Sequence, residues 1–180
     1  MCSSDLLRGA RLHSLSAGVA LRAAGERFGY PELAQLLRRR GVTDGDAYAA
    51  QMREVFRRMV FNILIDNTDD HEKNHALLMT DAQQYALSPA FDILPSGQAL
   101  GFQQMRVGEQ EADSTVANAL SMSSMYGLTK VEAVKEAQAV AQVIDAWKEH
   151  FTACGVTRGD IDLYAEQIDR AFLRDQRGEA

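Results

Sequence analysis

The chain has 180 residues, of which 46% are hydrophobic and 24% charged, and a net charge of −6. That length suits one domain or one lobe of something larger, with enough apolar material for a core. The acidic balance gives no global basic footprint for nucleic acid, and no apolar run approaches the ~18 residues of a membrane span. The two cysteines, Cys2 and Cys154, make no disulfide framework, which suits a cytoplasmic protein.

Met1 to Asp5 lacks a basic segment followed by an apolar stretch and is no signal peptide. The opening MCSSDL does not resemble a natural domain start, so residues 1–7 are expected to be non-native or disordered, with the natural reading beginning near Leu7 inside a longer gene. Residues 8–173 are expected to form one domain and 174–180 a charged, frayed tail.

Ser14 to Arg27 has high helix propensity. Pro31 fits a first helical position, Leu33, Leu36 and Leu37 follow at helical spacing, and Gly41 fits a stop. The run Arg38-Arg39-Arg40 is short and reads as a solvated face. Thr43-Asp44-Gly45-Asp46 is a turn cluster. The clearest helix carries Met52, Val55, Phe56, Met59, Val60, Ile63 and Leu64 at three- and four-residue steps, and delivers the chain into the turn formers Asn67, Thr68 and Asp69.

Ala76 to Met79 and Tyr85 to Leu87 predict a short β-hairpin, ended by Pro89. Residues 96–110 are irregular, and 114–120 predict a short helix. Thr129 and Glu132 match a capping box opening a long helix that carries Val134, Ala141, Ile144, Trp147 and Phe151. Gly155 and Thr157 break and re-cap the chain. Ile161, Tyr164, Ile168 and Phe172 mark a last amphipathic helix. The expected fold is mainly α, with one small β-hairpin beside the functional residues.

The stretch DDHEKNH, residues 69–75, admits two chemistries. From His71 it is H-E-x-x-H, the zinc-hydrolase pattern, in which His71 and His75 face one metal from a regular helix and Glu72 acts as general base. The poor helix formers Asn67, Thr68, Asp69 and Asp70 oppose that helix. From Asp69 it is D-x-x-x-x-N, the spacing of a kinase catalytic loop. Phosphoryl transfer needs a carboxylate to orient the attacking hydroxyl, and oxygen ligands for Mg²⁺. Asp69 and Asn74 have that spacing, and Asp92, beyond the hairpin, could return a second carboxylate to the same spot. On spacing alone a blander reading stays open: Asp69 caps a helix and Asp92 sits in a turn, in a non-catalytic helical interaction domain.

Phe61-Asn62-Ile63-Leu64-Ile65, running into Asn67-Thr68-Asp69-Asp70-His71-Glu72-Lys73-Asn74-His75, resembles the N-x-D-x-H-x-K-N signature of HipA-type kinases. Leu87-Ser88-Pro89-Ala90-Phe91-Asp92-Ile93 resembles their second motif, and Arg11 to Ser16 and Tyr30 to Ala34 are similar to the family's carboxy-terminal region. The resemblance implies a serine/threonine protein kinase of toxin–antitoxin systems that uses ATP and Mg²⁺, with a largely helical carboxy-terminal lobe. It implies Asp69 as catalytic base, Asn74 and Asp92 as metal ligands, and His71 and Lys73 as cofactor-binding positions. The implied partners are a protein substrate and a small DNA-binding antitoxin, with no direct nucleic-acid contact and no membrane. Aminoglycoside- and choline-type kinases use a related loop but carry H-x-D, where this chain has Asn67-Thr68-Asp69. No glycine-rich loop with a phosphate-gripping lysine is present, and Gly25 to Gly29 lacks a following strand pattern. The chain is therefore expected to be the carboxy-terminal part of a kinase, lacking its nucleotide-binding lobe and weakly active alone.

Overall fold

The structure, a computed structural model, describes residues 6–7, 10–11 and 13–180. Residues 1–5 of the expected non-native start lie outside the described residues. Leu6–Leu7 (β1) pairs antiparallel with Ala10–Arg11 (β2). The remaining strands and α-helices are Ser14–Ser16 (β3), Ala17–Ala23 (α1), Tyr30–Arg40 (α2), Ala47–Leu64 (α3), Ala76–Met79 (β4), Tyr85–Leu87 (β5), Val116–Ser121 (α4), Lys130–Asp145 (α5), Trp147–Ala153 (α6), Arg158–Ile168 (α7) and Ala171–Glu179 (α8). The fold is mostly helical with a small antiparallel sheet in the order β3-β4-β5. No helix of the described residues is long and apolar enough to cross a membrane.

The core is built on α3, packed between α2 and α5. Its stripe of Met52, Val55, Phe56, Met59, Val60, Ile63 and Leu64 is buried, each residue at most 2% exposed. Complete burial of one such side chain stabilises by about 1.5–3 kcal/mol, so this stripe fixes where the end of α3 delivers the chain. Gly41 ends α2 as expected, and Thr129 with Glu132 forms the complete capping box of α5.

Four expectations are corrected. The helix expected over residues 14–27 is a strand followed by a short helix. Ser14, Leu15 and Ser16 pair with Leu78, Leu77 and Ala76, and the Ser16 hydroxyl then accepts from the Val19 amide, so the helix starts at Ala17. It ends early because Gly25 takes φ +71 and the amides of Gly25 and Glu26 return to the carbonyls of Arg22 and Leu21, a Schellman closure. The hairpin β4–β5 thereby gains a third strand. The long helix from Thr129 breaks at Ala146, and the turn places Trp147 so that its indole N–H donates to Asp169 at 3.1 Å.

The last helix also breaks, at Asp169. Phe172, expected on its apolar face, is 42% exposed, and Leu173 takes the anchoring place in α8. Residues 174–180 are not a frayed tail, since α8 runs to Glu179. Its Arg177 is buried, donating to Asp145 at 2.8 Å and to the Ile168 carbonyl at 3.0 Å. A composition rich in charge reads as solvated; here one of those charges is spent on holding the helix down.

Candidate active site

The site begins where α3 ends. Asp66 stands just past the helix in the left-handed region, φ +58, a place usually given to glycine. The amides of Asp66 and Asn67 close back on the carbonyls of Ile63 and Asn62, at 3.2 and 2.8 Å. A non-glycine residue there stores strain of order 1 kcal/mol. The Asp66 carboxylate offsets it by accepting from the Ala99 amide at 2.9 Å and from Arg170 at 3.1 Å. The Ser96 hydroxyl donates to the Asp66 carbonyl and meets the Thr68 hydroxyl at 2.6 Å, so the 66–70 turn is tied to the 96–99 loop.

The far end of the turn is fixed by α1. The amides of Ala17 and Gly18, two donors that a helix start leaves unpaired, reach the carbonyls of His75 and Glu72 at 2.7 and 3.1 Å. Gly18 permits this approach, for a Cβ there would stand 2.5 Å from Glu72 Cγ.

Between these anchors lies a cleft of about 220 Å³ lined by Asn67, Asp69, Asn74, Asp92, Leu94, Pro95, Ser96 and Gln98. The three residues that spacing singled out, 69, 74 and 92, therefore share one concavity. None of their side chains makes a hydrogen bond or ion pair among the described residues, although Asn74 is 7% exposed. The polar side chains beneath them, by contrast, are committed to partners. Asp92 is also left-handed, φ +57. Such outliers persist where the surroundings impose them, often at functional sites. His71 and Lys73, expected to bind cofactor, do not line this cleft; Lys73 is exposed and His71 half-buried.

The zinc pattern is not realised. Residues 66–75 run in turns rather than a helix, and His75 is turned inward against Asp70. Among the described residues, no three His, Cys, Asp or Glu side chains come together as a metal set.

A family model described as HipA-like C-terminal domain matches residues 5–153. The chain belongs to that family. A protein of Sinorhizobium fredii (strain NBRC 101917 / NGR234) named "Putative kinase Y4dM" is 49% identical over 45 residues, which are 25% of this HipA-like chain and 11% of that protein. A solved chain from the HipA, HipB and operator DNA complex of the Shewanella oneidensis MR-1 toxin antitoxin system superposes with TM-score 0.67 over 96% of this chain and 48% of its own length. At 14% identity the likeness is one of fold. This chain thus spans about half the length of the solved HipA-system chain.

Beneath the cleft of this HipA-like domain lies a network that spacing alone did not reveal. The Tyr30 hydroxyl donates to Asp70, which also meets His75 Nε2 at 2.8 Å, and Asn62 joins Tyr30 to Asn67. The Tyr30 and His75 rings meet edge to face at 5.6 Å. Burial, and then the Asp70 charge, push the Tyr30 hydroxyl well above the usual tyrosine range, so it stays a donor. One signal was available: Asn62 interrupts the apolar stripe of α3, and a buried amide needs partners.

Proposed function

We propose that this chain is the catalytic lobe of a HipA-like serine/threonine protein kinase, the toxin side of a toxin–antitoxin pair, transferring the ATP γ-phosphate to a protein hydroxyl. The observation that carries the reading is the meeting of Asp69, Asn74 and Asp92 in one cleft with their side-chain oxygens unspent. A non-catalytic interaction domain gives no reason for those three to converge.

Asp69, exposed at the cleft, would orient the substrate hydroxyl and accept its proton as the new P–O bond forms and ADP leaves. The Asn74 amide oxygen and the Asp92 carboxylate would hold Mg²⁺. One carboxylate and one neutral oxygen suit that ion, which keeps waters and substrate phosphates in its shell rather than demanding a cage of protein ligands. Bound magnesium would neutralise charge on the nucleotide phosphates. Asn67, held by Asn62 at 3.1 Å, braces the loop that presents Asp69. Lys73, exposed beside the loop, would meet a phosphate only from outside the cleft.

The nucleotide-cradling half would come from a part of the kinase not represented in these 180 residues. A DNA-binding antitoxin of the HipB kind is the partner this reading assigns, supported by the complex in which the solved relative was found, and the cytoplasm is the compartment it implies. The test is phosphate transfer from ATP to protein hydroxyls, assayed in a longer protein carrying this domain. The reading expects Asp69→Ala and Asp92→Asn each to lower turnover by about 10²-fold or more, in the range for loss of a general base or metal ligand. Full activity in both variants would end it.

A further inference from the structure

We propose that Arg170, at the corner between α7 and α8, is a positioning residue for the cleft, holding its two walls in register; the link to phosphotransfer rests on the kinase reading above.

Arg170 is far from the cleft in sequence, standing 104 residues after Asp66 and outside the stretch matched by the family model. Its guanidinium nevertheless makes three contacts at once. Nη1 donates to Asp66 Oδ2 at 3.1 Å, Nη2 donates to the Gly97 carbonyl at 2.6 Å, and Nε donates to the Glu166 carbonyl in the last turn of α7 at 3.3 Å. The two partners outside α7 each adjoin residues that line the cleft. Asp66 precedes Asn67 on one wall, and Gly97 lies between Ser96 and Gln98 on the other. Asp66 completes the link by accepting from the Ala99 amide with the same oxygen.

The arrangement is closely fitted. Asp66 is buried, its side chain 4% exposed, so its charge has little water to turn to if Arg170 is removed. Gly97, at φ +67, lies against α7, where an added Cβ would come within 3.3 Å of the Gln167 side chain. The corner that carries Arg170 is itself fixed, because Leu173 is 1% exposed and Arg177 binds Asp145 and the Ile168 carbonyl. A planar guanidinium can serve two divergent oxygens from one fixed position, and a lysine ammonium on its flexible stem cannot do so equally well. Movement of the α7–α8 corner would thus reach Asn67 and Ser96 together, giving the far end of the domain a mechanical connection to the cleft.

The test is amide hydrogen exchange in the 180-residue chain, wild type against Arg170→Ala, Arg170→Lys and Arg177→Ala. In Arg170→Ala the amides of Asn67, Ser96 and Ala99 should exchange faster together, by about tenfold or more, while Val60 in the centre of α3 changes less than about twofold. Arg170→Lys should give an intermediate effect. Arg177→Ala, which loosens the corner but keeps the Arg170 bonds to Asp66 and Gly97, should raise exchange at those three amides clearly less than Arg170→Ala does. Unchanged exchange at Ser96 and Ala99 in Arg170→Ala, or a uniform rise that includes Val60, would overturn the proposal. A parallel titration with Mn²⁺ alone, read by water-proton relaxation, separates the two claims. A larger loss of affinity in Arg170→Ala than in Arg177→Ala supports the link to the cleft, and equal loss in both refutes it. Wild-type binding that Asp92→Asn does not alter would instead remove the kinase reading, leaving the clamp to be judged by exchange.

Discussion

Replacing Tyr30 with phenylalanine removes one oxygen and leaves the rest of the ring in place, which makes it a clean probe of the support under the candidate site. Tyr30 is fully buried and its hydroxyl donates to Asp70, itself 2% exposed. Asp70 keeps His75 at 2.8 Å, so its charge is not left wholly alone. A hydrogen bond to a charged group contributes about 1.5–3 kcal/mol, and with that partial compensation the expected loss is about 2 kcal/mol. For a domain of this size that lowers the melting midpoint by about 4–8 °C. Tyr126→Phe is the matched control. Tyr126 is 1% exposed, but its hydroxyl reaches only the weak acceptor Met59 Sδ at 3.3 Å, so its loss should stay below about 1 kcal/mol. Urea unfolding of the two variants, with unchanged m-values, measures the difference. Equal losses would show that Asp70 is not stabilised through Tyr30, and the network reasoning would fall.

Stability should also fall in alkali. Burial raises both Tyr30 and Tyr126 well above the ordinary value of 10.0, aided by the charges of Asp70 and Glu32 respectively. Above that value the unfolded chain releases two protons that the folded chain keeps, so stability present below it is lost as pH rises. Tyr30→Phe should flatten that limb by up to about 1.36 kcal/mol per pH unit, a limit approached only above about pH 10 as the unfolded tyrosine ionises, measured by urea midpoints over roughly pH 9 to 11. Gly108→Ala should cost about 3 kcal/mol in the same assay, because an added Cβ would lie 2.0 Å from the Asn118 carbonyl oxygen. Gly178→Ala, in open space on α8, should cost nothing and can raise stability by up to about 1 kcal/mol. The isolated chain should bind no stoichiometric zinc in equilibrium dialysis, since His75 is held by Asp70 rather than aimed at His71.

The parts of this structure legible in the sequence are those whose signal is local. The apolar stripe from Met52 to Leu64 repeats at helical spacing, and each of its residues is buried in α3. Thr129 and Glu132 lie three apart and form their capping box. Asp69, Asn74 and Asp92 lie around a hairpin that the turn residues themselves announce, and they reach one cleft. What was not legible depends on partners distant in the chain. Ser14–Ser16 is a strand because Ala76–Leu78 lies beside it, while its own neighbours favour helix. The last helices break where Asp169 accepts from Trp147 and binds Lys148 at 2.5 Å. Arg177 reads as part of a charged tail until Asp145 is placed next to it, and Arg170 carries no sequence signal until Asp66 is placed next to it. Asp70 and His75 were visible as residues, but the turn that buries them below Asp69 and Asn74 is set by α1 and α2.

The claim on which the proposed function rests is that the oxygens of Asn74 and Asp92 hold one divalent cation beside Asp69. Its most direct test is an NMR titration of the chain with Mn²⁺ in trace amounts, following which amides broaden. The account predicts that Asp69, Asn74, Asp92 and their immediate neighbours broaden first and together, that excess Mg²⁺ reverses this, and that Asp92→Asn abolishes it. Broadening centred on the acidic residues elsewhere, or untouched by Asp92→Asn, would contradict it.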